Sequence, residues 1–310
     1  MIDILENRSE IIKLSWVQSL NNAAVKINEF EPDKILEKTV YLNQNTAKDI
    51  LDTIEITNGE LFRGKGLELG AGAGLFSSTI SKYNNVDKIF SLEIIPNFVE
   101  LLQPKIINKY GDVKKIVPTL GSFENLNYFN ENYFDFIFEY DAFHHADNLP
   151  KVLDECNRVL KKNGKIICID RIQADRISNE MILRKLNIKY PKEYFEKHCK
   201  NFIEGYTRKD NGEHEIRRKE WILSFENSNF QNIKITNYIN YSIKSFIKLL
   251  ISYLPDIILR RTRFKYLVGE NLLSYISGFF RDNNPLNKGK FINLKNKKIY
   301  KDLAVLISEK

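Results

Sequence analysis

The chain has 310 residues, of which 43% are apolar, with 47 basic against 40 acidic side chains. That is one large domain, or one domain with insertions, and it is too apolar to be a disordered chain. The net charge of +7 is modest for the length, so the lysines read as a solvated surface and nucleic acid is an unlikely partner on charge alone. No stretch long enough to span a bilayer is free of charge or proline, and the acidic start Met1–Glu6 has no leader-type apolar run. The cysteines, Cys156, Cys168 and Cys199, are odd in number and lack metal-type spacing, which fits a reducing, cytoplasmic setting with Cys168 as plain core.

Residues 1–60 read as a helical cap. Trp16, Leu20, Ala23, Ala24 and Ile27 share one helical face, and Asn45-Thr46 opens a second helix over Ala47–Ile56. Residues 64–77 are the centre of the chain. Leu67-Glu68-Leu69 runs into Gly70, Gly72 and Gly74, and a helical pattern follows over Leu75–Tyr83. A strand, a tight glycine turn and a helix are expected, with glycine needed for unusual φ/ψ values and for close approach of a ligand. The helix start offers free N–H groups. Glu68 immediately before the turn is wrong for a pyrophosphate and right for a cationic ligand, and Gly-x-Gly-x-Gly is not the dinucleotide spacing.

With Glu68, this stretch resembles the first motif of the class I S-adenosylmethionine-dependent methyltransferases, E/D-x-G-x-G-x-G. The resemblance implies that Glu68, Leu69, Gly70, Ala71, Gly72 and Gly74 cradle the amino-acid part of S-adenosylmethionine. It also implies that the helices before the first strand cap the pocket, with Trp16 and Tyr41 as lid residues or, for Trp16, simple core. Lys88–Glu93 is a buried strand ending in an acid. Glu93, followed by Ile94, matches the family's ribose-binding acid, because a carboxylate accepts from two hydroxyls at once.

A helix over Asn97–Tyr110 is expected to kink at Pro104. Ile116-Val117 centres a short third strand. Ser122-Phe123 then falls where the family contacts adenine, although the usual acid is absent at Ser122 and Phe123 reads equally well as a core aromatic. Tyr133–Glu139 is the fourth strand and leads into Tyr140-Asp141-Ala142-Phe143-His144-His145. A His-His pair after this strand resembles the family's fourth motif, which makes Tyr140 and Asp141 cofactor contacts. His144 and His145 are then a general base, a cofactor contact or a helix cap. A helix over Leu149–Leu160 stops at Lys161-Lys162-Asn163-Gly164, and Lys165–Asp170 is the fifth strand.

Residues 171–216 form a polar insertion read as a substrate lid. Within it Arg171, Arg176 and Arg208 can clamp an anion, His198 and His214 add further candidate bases, and Glu213-His214-Glu215 sets two carboxylates beside a histidine. A helix over Arg217–Asn227 and strands at Asn232–Tyr238 and Leu303–Ile307 complete the core. Residues 240–300 carry two apolar helical faces about Arg260-Arg261-Thr262-Arg263, read as core or a homodimer surface before a membrane contact.

The expected fold is α/β, a seven-stranded, mostly parallel, doubly wound sheet. It divides into a cap over 1–60, a cofactor core over 61–170, the lid over 171–216 and the sheet's end with its insertion over 217–310. The expected function is methyl transfer from S-adenosylmethionine, leaving S-adenosylhomocysteine, to an oxygen of an anionic or phosphorylated small molecule. No resident metal is expected, although Asp141, Asp170 and the histidines leave a metal-assisted variant open. An RNA methyltransferase and a non-catalytic partner subunit that binds S-adenosylmethionine are the rivals.

Overall fold

A computed structural model describes residues 3–4, 15–237 and 303–310. The expectations for residues 240–300 lie outside the described residues. Eight strands form one sheet in the order β1-β4-β3-β2-β5-β6-β8-β7. They are β1 (Asp3–Ile4), β2 (Gly64–Leu69), β3 (Val86–Glu93), β4 (Ile116–Leu120), β5 (Phe134–Tyr140), β6 (Leu160–Arg171), β7 (Gln231–Asn237) and β8 (Leu303–Glu309). The expected seven strands are present, with the two-residue β1 added at the edge beside β4. Every pairing is parallel except those of β8, which runs antiparallel to both β6 and β7.

The central strands are apolar nearly throughout because both faces are covered, as a parallel sheet requires. Phe134, Phe136, Ile137 and Phe138 of β5 are fully buried, as are Ile166 and Ile167 of β6. The cap consists of α1 (Ser15–Ile27), α2 (Pro32–Thr39) and α3 (Gln44–Asn58), three helices where two were expected. Asn43 starts α3 by accepting from the Thr46 N–H at 2.9 Å. Asn21 of α1 accepts from the Asn97 N–H at 2.8 Å, which fixes this helix beside the end of β3.

After β2 comes α4 (Leu75–Ile80); after β3, a π-helical turn (Phe98–Leu102) leads into α5 (Gln103–Tyr110). The expected irregularity at Pro104 falls on that junction, with the proline in the first turn of α5 where its missing N–H costs nothing. Helix α6 (Leu149–Val159) precedes β6. Here the expectation of a glycine helix stop before the fifth strand is corrected. Leu160 already pairs with Phe134, a register shift follows, and Phe136 then pairs with Lys165. Lys161–Gly164 is thus a bulge inside β6, with Asn163 at φ +63°. The 171–216 segment carries α7 (Asn179–Leu186) and α8 (Lys192–Lys197), and α9 (Arg218–Asn227) follows.

Register brings the ends of the inner strands level: Leu69 pairs with Leu92 and Glu139, Glu93 with Leu120, and Tyr140 with Ile169. The chain winds outward from β2 through β3 to β4, then returns across β2 to β5. The crevice above that reversal is where open α/β sheets bind ligands. Cys156 and Cys168 are buried in the sheet's main apolar cluster. Cys199 is half-buried in the 171–216 segment.

Candidate functional site

The turn after β2 needs its glycines for two different reasons. Gly70, Gly72 and Gly74 have φ values of +66°, +55° and +83°, a region that side chains rarely tolerate. A Cβ on Gly70 would stand 2.6 Å from the Ala142 Cβ, so the approach of the β5 turn demands a bare backbone. A Cβ on Gly72 would meet nothing within 4 Å. That position therefore faces open space. The Gly72 N–H donates to Glu93 Oε2 at 2.8 Å and the Ile95 N–H to Oε1 at 2.9 Å. The Gln103 side chain holds the Gly72 carbonyl at 3.1 Å, a contact for which the sequence offers no signal.

Glu93 is buried, and burial raises its carboxyl above the ordinary value against the pull of those N–H groups. The N–H of Ile94 also bonds this carboxylate, and its remaining accepting capacity is open to a hydroxyl. Glu68 is only 2% exposed. It accepts from the Ser77 hydroxyl in the first turn of α4, and burial pushes it up to about 8. Leu69 and Ala71 are buried, and Ile94 is half-buried.

At the end of β4, the Ser122 hydroxyl accepts from the Glu124 N–H at 3.1 Å and closes its own turn. Phe123 Cε1 lies 3.9 Å from where a Gly70 Cβ would stand, and its ring meets Phe143 edge-on at 5.8 Å. Phe123 therefore packs on the core and borders the glycine turn. Tyr140 stacks on Phe76 at 4.5 Å. The open face of Gly72, the free lone pairs of Glu93 and the ring at Phe123 fit the carboxylate, ribose and adenine of S-adenosylmethionine.

The end of β5 is a polar cluster. Asp141 has φ +52° and its N–H donates to the Ile169 carbonyl at 2.8 Å. His144 is fully buried. Its Nδ1 donates to Asp170 Oδ1 at 2.7 Å and its backbone N–H to Oδ2 at 2.9 Å, while Nε2 is buried without a partner among the described residues. Burial alone would depress the imidazole, but the Asp170 carboxylate overrides it and the net shift is upward. Asp170 is shifted the opposite way: burial raises it, and the imidazolium brings it below the ordinary carboxylate value. Asp141, His144 and Asp170 bring ligand-type atoms within 4.8 Å of one another. Those groups are already engaged inside the protein, Asp170 by His144 and Asp141 by Arg171.

Glu139 escaped the sequence reading. It is buried at the end of an apolar strand and accepts from the Ala142 N–H at 3.1 Å. Burial and then the nearby Asp170 charge hold it well above the usual range. A carboxylate ending a run of buried aromatics was the signal that could have found it.

The 171–216 segment closes over this cluster. His145 Nδ1 donates to the Gly212 carbonyl at 3.0 Å, and the His214 N–H donates to the His144 carbonyl at 2.8 Å. His214 Nδ1 reaches the same carbonyl at 3.0 Å. The His144 and His145 rings stand 4.1 Å apart. Burial, then the neighbouring His144, lowers His145 to about 3. Histidines 144, 145 and 214 therefore meet. His198 does not join them: its Nδ1 donates to the Lys38 carbonyl at 2.9 Å, and its ring meets Tyr41 edge-on at 5.0 Å. Tyr41 and His198 instead join the cap to the 171–216 segment.

Two of the three arginines expected to clamp an anion, Arg171 and Arg208, are paired with carboxylates of the chain itself. Arg171 Nε binds Asp141 at 3.0 Å and Nη1 binds Glu213 at 2.5 Å. Arg208 binds Glu213 at 2.7 Å and Glu215 at 2.6 Å. Two guanidinium groups thus meet three carboxylates. Burial would raise Glu213, but Arg171, the Tyr190 hydroxyl and Arg208 bring it down to about 2. Arg176 is exposed.

A family model described as a methyltransferase domain matches residues 67–168. A sarcosine/dimethylglycine N-methyltransferase of Aphanothece halophytica is 31% identical over 112 residues, 36% of this chain and 39% of that enzyme. The chain therefore spans about two-fifths of the length of that relative. An uncharacterised protein of Methanocaldococcus jannaschii is 30% identical over 186 residues, 60% of this chain and 74% of that one. Among solved structures, a chain of the complex between the Haloferax volcanii Trm112 methyltransferase activator and a proposed methyltransferase shares the fold. Its TM-score is 0.51 at 12% identity, over 94% of this chain and 96% of that one. The chain carries a methyltransferase domain of the class I, S-adenosylmethionine-dependent type.

Proposed function

We propose that this chain methylates a small-molecule acceptor seated between the carboxyl ends of β5 and β6 and the 171–216 segment. The observation that carries the proposal is the open face of Gly72 beside Glu93. Bound there, S-adenosylmethionine supplies an electrophilic methyl group and leaves as S-adenosylhomocysteine. Glu93 takes the ribose hydroxyls, the Gly70–Gly74 backbone takes the amino-acid end, and Phe123 borders the base. The chain's remaining task is to align the acceptor and relieve it of a proton.

His145 suits that task. With Nδ1–H committed to Gly212, its lone pair is on Nε2, and burial lowers its basicity to about 3, so the proton it can take is one that methyl transfer has already made acidic. His144, held by Asp170, and His214 orient the turn. A neutral imidazole base serves an acceptor that sheds a proton as it reacts, as a hydroxyl must and as a primary or secondary amine does once methylated, and O-methylation is the reading put forward first. The Aphanothece relative, named for N-methylation, is the reason to test amines beside hydroxyls. Because Arg171 and Arg208 are paired with carboxylates, the acidic acceptor does not rest on them.

Calorimetric titration with S-adenosylhomocysteine is expected to give saturable binding that is lost in Gly72→Arg and weakened in Glu93→Ala. Acceptors are then sorted by S-adenosylhomocysteine release across hydroxyl and amine compounds, acidic and neutral. Absence of binding to the unaltered chain, or equal binding to Gly72→Arg, would remove the cofactor site. Undiminished turnover in His145→Ala would remove the base.

A further inference from the structure

Of the half-buried cations in the 171–216 segment, Arg171, Arg208 and Lys185 face carboxylates, and Lys200 is the one without such a partner among the described residues. Its Nζ lies 3.3 Å from the Tyr194 hydroxyl and 5.3 Å from the centre of that ring. Tyr194 stacks on Tyr190 at 4.0 Å. The Tyr190 hydroxyl donates to Glu213, which is bound to Arg171, and Arg171 holds Asp141 at the end of β5. Two tyrosines and two ion pairs thus connect Lys200 to the strand ends where the acceptor is proposed to react.

We propose that Lys200, with the Tyr194 hydroxyl, is the docking point for an acceptor carboxylate, and so sets selectivity for a monoanionic small molecule. This rests on the methyltransferase reading above. The physical reason is an unbalanced ammonium. Burial lowers Lys200 to about 8 although Glu213 pulls the other way, so it stays charged at pH 7 while half stripped of water. A bound carboxylate restores the missing counter-charge through a charge-assisted hydrogen bond, and the tyrosine hydroxyl supplies a second donor. One cation balances one negative charge. A phosphate dianion brings a second charge toward Glu213, whose lone pairs are already taken by Arg171, Arg208 and Tyr190.

The test is lysine-labelled NMR on the full chain saturated with S-adenosylhomocysteine. The Lys200 ε-methylene signal is identified by its loss in Lys200→Met. Titration with acetate and with glycine is expected to move that signal saturably, while glycine methyl ester leaves it in place, and Lys200→Arg is expected to keep affinity for glycine within about threefold of the unaltered chain. Three results overturn the proposal: no shift with either carboxylate, an equal shift with the ester, or a response to inorganic phosphate alone. Calorimetry of S-adenosylhomocysteine on the same samples separates the two readings. If it binds and Lys200 is silent, only the docking point falls; if it does not bind, the methyltransferase site falls and this inference with it.

Discussion

Where β2, β3 and β4 end, the site is made of backbone. It consists of glycines at positive φ, an N–H shared with Glu93 and a ring set against Gly70. Where β5 and β6 end, it is made of charged side chains gathered from distant parts of the chain: His144 with Asp170, Arg171 with Asp141 and Glu213, Arg208 with Glu213 and Glu215. Backbone donors are fixed by the turn and hold their geometry whether or not a ligand is present. A buried charge cluster holds only while each member keeps its partner, because an unpaired buried charge is costly. One side should therefore fail by steric filling, and the other by electrostatic imbalance.

The largest expected effect is on the backbone side. Gly72→Arg should weaken S-adenosylhomocysteine binding at least about a hundredfold by calorimetry, with a lowered melting transition as well, because a side chain at φ +55° strains the backbone although it meets no other atom. On the charged side, Asp170→Asn strands a buried imidazole and should cost about 3–5 kcal/mol in urea unfolding. The pH dependence of that cost has a definite sign. His144 is raised, so its contribution is complete below about 6.5 and fades as pH climbs through the raised value. Asp170 is lowered, so its contribution is complete above 3.8 and fades in acid. The gap between the unaltered chain and Asp170→Asn should be widest between those values and narrow in alkali.

Glu213→Gln should cost less, about 2 kcal/mol, since Arg171 and Arg208 retain Asp141 and Glu215. Its lowered carboxyl makes the difference full above pH 4.5 and vanishing as pH falls toward 2, which stability measured across that range would check. Ser122→Ala should be smallest. Its hydroxyl closes a local turn, so S-adenosylhomocysteine affinity should stay within about twofold and stability within about 1 kcal/mol.

The same division governs what could be read from the sequence. The strand, the Gly70–Gly74 turn, Glu93 and the His144-His145 turn are contiguous signals, and the parallel core followed from them. The pairing partners were not legible in the same way. Nothing near Arg171 in sequence says that Glu213 neutralises it, and nothing near His198 says that it turns to Tyr41 and Lys38 rather than to His144. Basic residues and glycine mark a helix end and a strand bulge alike, so Lys161–Gly164 reads as the stop of α6 although β6 has already begun at Leu160. Glu139 was passed over because alternation says which face a strand residue takes, not whether its neighbours leave it charged.

The three thiols lie at different depths. Cys156 and Cys168 are buried against the central strands, and burial pushes both thiols far above the usual range. Cys199 is half-buried beside His198 and Lys200. Since only the thiolate of an accessible cysteine reacts, alkylation should proceed on two clocks. Cys199 would be labelled at the pace of local opening in the 171–216 segment, and the other two only when the sheet itself comes apart. A single mass spectrum taken over time would then separate breathing of the acceptor side from unfolding of the whole, with no engineered probe.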